Sequence, residues 1–204
     1  MKVLALELSS ARGSVAVVNG GAVEFEREFG NDRKHSGAFF RALVAAQTHG
    51  HDVEVVVVGL GPGSYAGVRI AISAAIGLNS AIGARLIGLP SICAMATDER
   101  EFLVVGDARR QSYFCARIVN GESIDGPQLF SEEQLLGRLR ESPLRVYSTE
   151  RLARVPQAQV AFPSATRLAR LSLRNGTTAP LEPIYLREPH ITQPKQTANV
   201  LGVI

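Results

Sequence analysis

The stretch Val53-Glu54-Val55-Val56-Val57-Val58-Gly59-Leu60-Gly61-Pro62-Gly63-Ser64-Tyr65-Ala66-Gly67 decides the fold. Its four consecutive valines read as a strand covered on both faces, because a half-exposed strand would alternate with polar residues. The glycine-rich turn Gly61–Gly67 then leads into a helix from Val68 to about Ile82, built largely of small residues. A buried strand that turns tightly into a helix is the unit of an α/β sheet.

Working outward from this unit, three strands precede it. Val3–Leu8 is a short apolar run and Ser14–Val18 a second. Asn19-Gly20-Gly21 tolerates positive φ and turns the chain into Ala22–Phe29. There Val23, Phe25 and Arg27 alternate with Glu24, Glu26 and Glu28, the pattern of an antiparallel edge. From His35 to Gln47, Phe39, Phe40, Leu43 and Val44 fall at helical spacing, and Gly50 supplies the stop. On the far side, Arg85–Leu89 reads as a strand and Pro90-Ser91 as the start of a helix towards Thr97. The first half is therefore βββ-α-β-α-β-α.

The pattern starts again at Phe102–Gly106 and Ser112–Val119, turned at Asn120-Gly121. A helix follows from Ser131, with Leu135, Leu136 and Leu139 as its buried stripe. Arg145–Ser148 is strand-like, Pro163–Arg174 is helical, and the proline-bearing tail from Pro180 is extended. Two related lobes are expected, 1–98 and a less regular 99–204, divided near 98–101.

Composition narrows the function. The 204 residues are 46% hydrophobic and 20% charged, enough for a packed core rather than a disordered chain. Cys93 and Cys115 are the only cysteines, which excludes a disulfide scaffold or cysteine-rich zinc module and suits a reducing, cytoplasmic compartment. No secretory signal is expected, since Val3–Leu6 is broken at once by Glu7. The longest uncharged stretch, Ile70–Ala84, has 15 residues, short of the ~18 needed for a membrane span, so no membrane partner is expected. The net charge of +3 lies wholly in the second half, and Arg138–Arg174 carries eight arginines against Glu141 and Glu150. That surface could meet an anion or could be a solvated helix face.

The motifs do not make an enzyme by themselves. Gly59–Gly67 has neither the G-x-G-x-x-G spacing of a dinucleotide loop nor the Gly-Lys-Ser/Thr of a Walker loop. It reads as a close-packing turn, with Ser9, Gly63 and Ser64 as candidate nucleotide or anion contacts if phosphate binds at all. His35, His49, His51 and His190 include no H-x-x-x-H pair, so no metal site is expected. Asp107 ends a strand, but Arg109 and Arg110 beside it suggest an ion pair rather than acid/base work.

Several segments together resemble the TsaB (YeaZ) family: the N-terminal strand and serine-rich turn, His35-Ser36, Gly61-Pro62-Gly63-Ser64-Tyr65-Ala66-Gly67-Val68-Arg69, Asp107-Ala108-Arg109 and Tyr185-Leu186-Arg187. The resemblance implies an actin-like (ASKHA, ribonuclease-H-like) α/β fold of two lobes, each a mixed sheet flanked by helices. It further implies a non-catalytic scaffold that pairs with a TsaD-like paralogue, together with a TsaE-like ATPase. That machinery places a threonylcarbamoyl group on the adenosine next to the anticodon of tRNA. No cofactor of its own is then expected, with ATP or ADP entering at the level of the complex. Phe39, Phe40, Leu43, Arg69, Ile72 and Ile76 are the expected interface, which would form a homodimer when the chain is alone. Glu7-Leu8-Ser9 stands where the family usually has Asp-Thr-Ser, and Ala66 where Thr is common. The rival reading is an independent ATPase or phosphotransferase of the same fold, using the turns at Ser9–Gly13 and Gly61–Gly67.

Overall fold

The computed structural model describes residues 1–31, 36–174 and 181–187. The first sheet contains β1 (Lys2–Glu7), β2 (Arg12–Asn19), β3 (Ala22–Gly30), β4 (Val55–Gly59) and β5 (Arg85–Leu89), in the order β3-β2-β1-β4-β5. Here β1 is antiparallel to β2 and β2 to β3, while β1, β4 and β5 run parallel. A hairpin joins β2 to β3 through Gly20 and Gly21, both at positive φ, which an L side chain would resist. On the edge, β3 carries Glu24, Glu26 and Glu28, charges that discourage pairing with another chain.

The second sheet repeats the first. It comprises β6 (Glu101–Asp107), β7 (Ser112–Val119), β8 (Glu122–Ser131), β9 (Val146–Ser148) and β10 (Gln159–Val160), in the order β8-β7-β6-β9-β10. The same two antiparallel and two parallel pairings recur. The two lobes expected from the repeated pattern are thus two five-stranded mixed sheets of one topology.

Helices α1 (Gly37–Gln47) and α2 (Tyr65–Ile82) lie on one face of the first sheet. Phe39, Ala42, Leu43, Val68, Ala71 and Ile72 close a core there over Leu4, Leu6, Val15, Val17, Val56 and Val58. In the second lobe α3 (Glu132–Glu141) takes the place of α1. Its start is a capping box, in which Ser131 Oγ accepts from Gln134 N at 3.2 Å and Gln134 Oε1 accepts from Ser131 N at 2.9 Å. Leu135 and Leu139 bury against Leu103, Val105 and Cys115.

Two expectations need correction. The segment after Pro90 is a single 3-10 turn, Ser91–Ala94, not a helix reaching Thr97. Its chain bends early because Ile92, Cys93 and Met95 are drawn into the core of the second sheet with Phe102 and Ile118. Residues 99–204 are likewise not confined to a second lobe. Helix α4 (Ala165–Ser172) lays Ala165, Leu168 and Ala169 on the other face of the first sheet, against Val3, Ala5, Ala16, Val18, Val55 and Val57. Ser14 Oγ accepts from Ala165 N at 2.9 Å and Glu26 Oε1 from Thr166 Oγ1 at 2.7 Å, which fixes the start of α4. Each lobe therefore sends the element after its last strand onto its neighbour. This double coverage explains why the valines of β4 are all buried.

Candidate functional site

The turns after β1 and β4 meet at one end of the first sheet. Glu7, the last residue of β1, is wholly buried, and its Oε1 accepts from Ser9 N at 2.6 Å. Among the described residues, its Oε2 and the Ser9 hydroxyl have no hydrogen-bond partner. Burial pushes the Glu7 carboxyl above its ordinary range, against the lowering effect of the hydrogen bond from the Ser9 amide.

The glycines of the second turn let it press directly on the first. A Cβ on Gly63 would meet Ser9 O at 2.1 Å, and one on Gly67 would meet Leu8 O at 2.1 Å. Ser64 N donates to Ser9 O at 2.6 Å, and Ser64 Oγ caps α2 by accepting from Gly67 N at 3.2 Å. Gly61 N donates to Ser91 Oγ at 3.0 Å, and Asn31 Nδ2 donates to both Leu8 O and Ser10 O at 2.9 Å. The amides of Ser9, Ser64 and Gly67 are engaged inside the protein, and the glycine faces are closed by backbone. Ser9, Gly63 and Ser64 lie together in this joint, with Gly63, Tyr65 and Ala66 on its exposed side.

The two helices beside this joint carry the other candidates, and half of them need correction. Phe39 (1% exposed), Leu43 and Ile72 are core residues and cannot face a partner. They occupy the positions that share a helical face with Ala42 and Ala46 on α1, and with Val68 and Ala75 on α2. Phe40 (48% exposed), Arg69 and Ile76 (50%) do face outward. The sequence reading left out of the interface their exposed neighbours Val44, 62% exposed, and Ile82. Helix α2 is the described helix long and apolar enough to cross a membrane. Here one side of it is part of the first core, while Ile76 and Ile82 are exposed among the described residues.

Arg69 has a second role. Its guanidinium lies 3.8 Å from the Tyr65 ring centre and its Nε donates to Tyr185 Oη at 2.9 Å. Around this clasp, residues 181–187 cross from lobe to lobe. Leu181 and Ile184 pack on the first core, Leu186 on the core of the second sheet, and Arg187 Nη2 donates to Ser112 Oγ at 2.6 Å.

Elsewhere, Asp107 accepts from Arg109 N at 2.7 Å and Arg109 Nη1 at 2.9 Å. This is the ion pair its neighbours suggested, and it pins a turn in which Arg109, Arg110 and Gln111 all have positive φ. Burial pushes the Cys93 thiol up to about 12, and it raises Cys115 too, so both are poor nucleophiles. His49 packs its ring on Phe25, 5.4 Å between centres. His35 and His190 lie outside the described residues.

A protein of two like five-stranded mixed sheets, with the turns after β1 and β4 packed on each other, is the class that fold and site define. The family model described as TsaD, tRNA N6-adenosine threonylcarbamoyltransferase, matches residues 33–184, and the chain belongs to that family. Uncharacterized proteins of Mycobacterium tuberculosis and Mycobacterium bovis are each 30% identical over 149 residues, 72% of this chain and 71% of theirs. The fold is that of YeaZ from Pseudomonas aeruginosa, with a TM-score of 0.67 at 19% identity over 91% of this chain and 99% of that one. A second Pseudomonas aeruginosa structure, described as similar to peptidase YeaZ, gives 0.69 at 20% identity with the same coverage.

Proposed function

We propose that this chain is a non-catalytic partner subunit in the formation of threonylcarbamoyladenosine in tRNA, docking a TsaD-like paralogue through the outer faces of α1 and α2. The observation that carries the reading is the closed joint at Ser9 and Ser64, in a chain of a tRNA-modifying family. In this reading the two turns serve to pack the sheet's end together, and the chemistry belongs to the partner. The docking face is the apolar set Phe40, Val44, Ile76 and Ile82, the kind of surface that tends to be covered in the working state. In this reading a TsaE-like ATPase joins the pair, ATP or ADP is handled by the complex, and the work is cytoplasmic. The free chain covers the same face by homodimerising.

Co-expression with the paralogue followed by size-exclusion chromatography tests the proposal. A heterodimer is expected, with no ATP turnover by the isolated chain. Separate elution of the two chains under native conditions would overturn the docking. Hydrolysis by the lone chain would favour an independent ATPase.

A further inference from the structure

The surplus arginines of the second half separate into two groups. Arg145 Nε lies 3.0 Å from Glu99, Arg154 Nε 3.6 Å from Glu132 and Arg167 Nη2 3.2 Å from Asp98, and Arg138 is held by Asp125. Among the described residues, no carboxylate lies within ion-pair distance of Arg100, Arg170 or Arg174. These three line one cleft of about 780 Å³ between α4, the segment leading into β6 and the β7–β8 turn, with Arg167 beside them. Asp98 and Glu99 also line it, each already facing an arginine. Phe102 and Leu171 contribute apolar wall.

We infer that this cleft binds the phosphodiester backbone of an RNA strand, which rests on the reading of the chain as part of a tRNA-modifying assembly. The guanidinium fork matches phosphate oxygens in geometry as well as charge. Arg167, Arg170 and Arg174 follow each other on one face of the chain, spanning about 10 Å at 1.5 Å per residue, longer than one phosphate group. Arg170 and Arg174 lie at the C-terminal end of α4, where the helix dipole is negative, while Arg167 sits in its first turn. The attraction must therefore come from the side chains, which favours an extended polyanion over a single compact one. Neutralising the helix end accounts for one arginine of α4, but Arg100 arrives from a different element and has no such duty.

The test is fluorescence anisotropy of a labelled, unmodified tRNA transcript titrated with the full chain between about 50 and 200 mM salt. Binding should weaken steeply with salt. The double variant Arg170→Ala/Arg174→Ala should bind about tenfold more weakly, with the log–log salt slope reduced by about 2. Arg170→Lys/Arg174→Lys should keep most of the slope, and Arg140→Ala/Arg151→Ala, away from the cleft, should match the wild type. No tRNA binding, or a double alanine variant that binds like the wild type, overturns the proposal. Displacement of tRNA by millimolar inorganic phosphate at constant ionic strength would assign the cleft to a small phosphate and overturn it as well. The same variants are run on size exclusion with the TsaD-like paralogue. A heterodimer with arginine-independent RNA binding sinks this inference alone. Arginine-dependent RNA binding without a heterodimer sinks the docking proposal alone.

Discussion

Glu7 occupies the space where a side chain on Gly59 would begin. A Cβ built on Gly59 would meet Glu7 Oε2 at 1.8 Å and Ser91 Oγ at 2.5 Å. The glycine that ends β4 is therefore required by the carboxylate that ends the neighbouring strand β1, and not by its own backbone angle. Gly59→Ala is expected to cost about 3 kcal/mol, since a wholly buried carboxyl must be displaced to admit the methyl group. Shortening the acid by Glu7→Asp should recover part of that loss. The check is a double-mutant cycle by urea denaturation, and strict additivity of the two changes would refute the contact.

Because burial raises the Glu7 carboxyl above its ordinary value of 4.5, the residue also sets a pH dependence. Below that value both folded and unfolded chains hold the proton, and Glu7 adds no slope. As pH climbs from it through the raised folded value, the unfolded chain releases the proton more readily, so folding loses stability across that window and levels off above it. Glu7→Gln keeps an oxygen for Ser9 N and removes the titration. Its stability advantage over the wild type should therefore widen as pH rises, read as the difference in urea midpoint at pH near 5 and near 8. A constant difference would contradict the buried, raised carboxyl.

Much of this joint could be read in the residues, and some could not. Glu7 is the lone charge in the run Val3–Leu8, which signals a buried carboxylate, but nothing local says that it fills the place above Gly59. The strands β1, β2 and β4 are legible because runs of β-branched residues have few other uses. By contrast, β8 contains Asp125, Gly126 and Pro127, turn chemistry that a half-exposed strand tolerates without advertising itself. Phe39 and Phe40 are adjacent and equally apolar; only the phase set by Ala42, Leu43 and Ala46 tells which turns inward. The destination of α4 has no local signal at all. A helix with one apolar stripe can cover any complementary sheet, and the inner face of the first happens to be the one left uncovered by α1 and α2.

The strap formed by residues 181–187 should be held by its clasp. Tyr185→Ala removes the hydrogen bond from Arg69 and the ring beside Tyr65, at an expected cost of about 1–2 kcal/mol. The local reading is sharper than the global one. Ile184 N donates to Leu60 O at 2.8 Å, so its amide should exchange with solvent faster in the variant while amides of β7 stay protected. Unchanged protection at Ile184 would mean that Leu181 and Leu186 hold the strap alone.

Neighbouring residues on α1 should separate folding from docking. Phe39 is sealed in the first core, so Phe39→Ala should cost about 3–5 kcal/mol and lower the thermal midpoint of the isolated chain. Phe40 is half exposed beside Val44, so Phe40→Glu should leave the isolated chain within about 0.5 kcal/mol of the wild type. Placed on the proposed docking face, however, its charge would be buried without a partner, and heterodimer formation should fall at least about tenfold. Ile76→Glu on α2 should repeat that pattern, because Ile76 is exposed on α2 as Phe40 is on α1. The decisive comparison sets melting curves of the isolated variants beside their elution with the TsaD-like paralogue. If both glutamate variants melt normally and still elute as heterodimers, the partner is held by some surface other than the outer faces of α1 and α2.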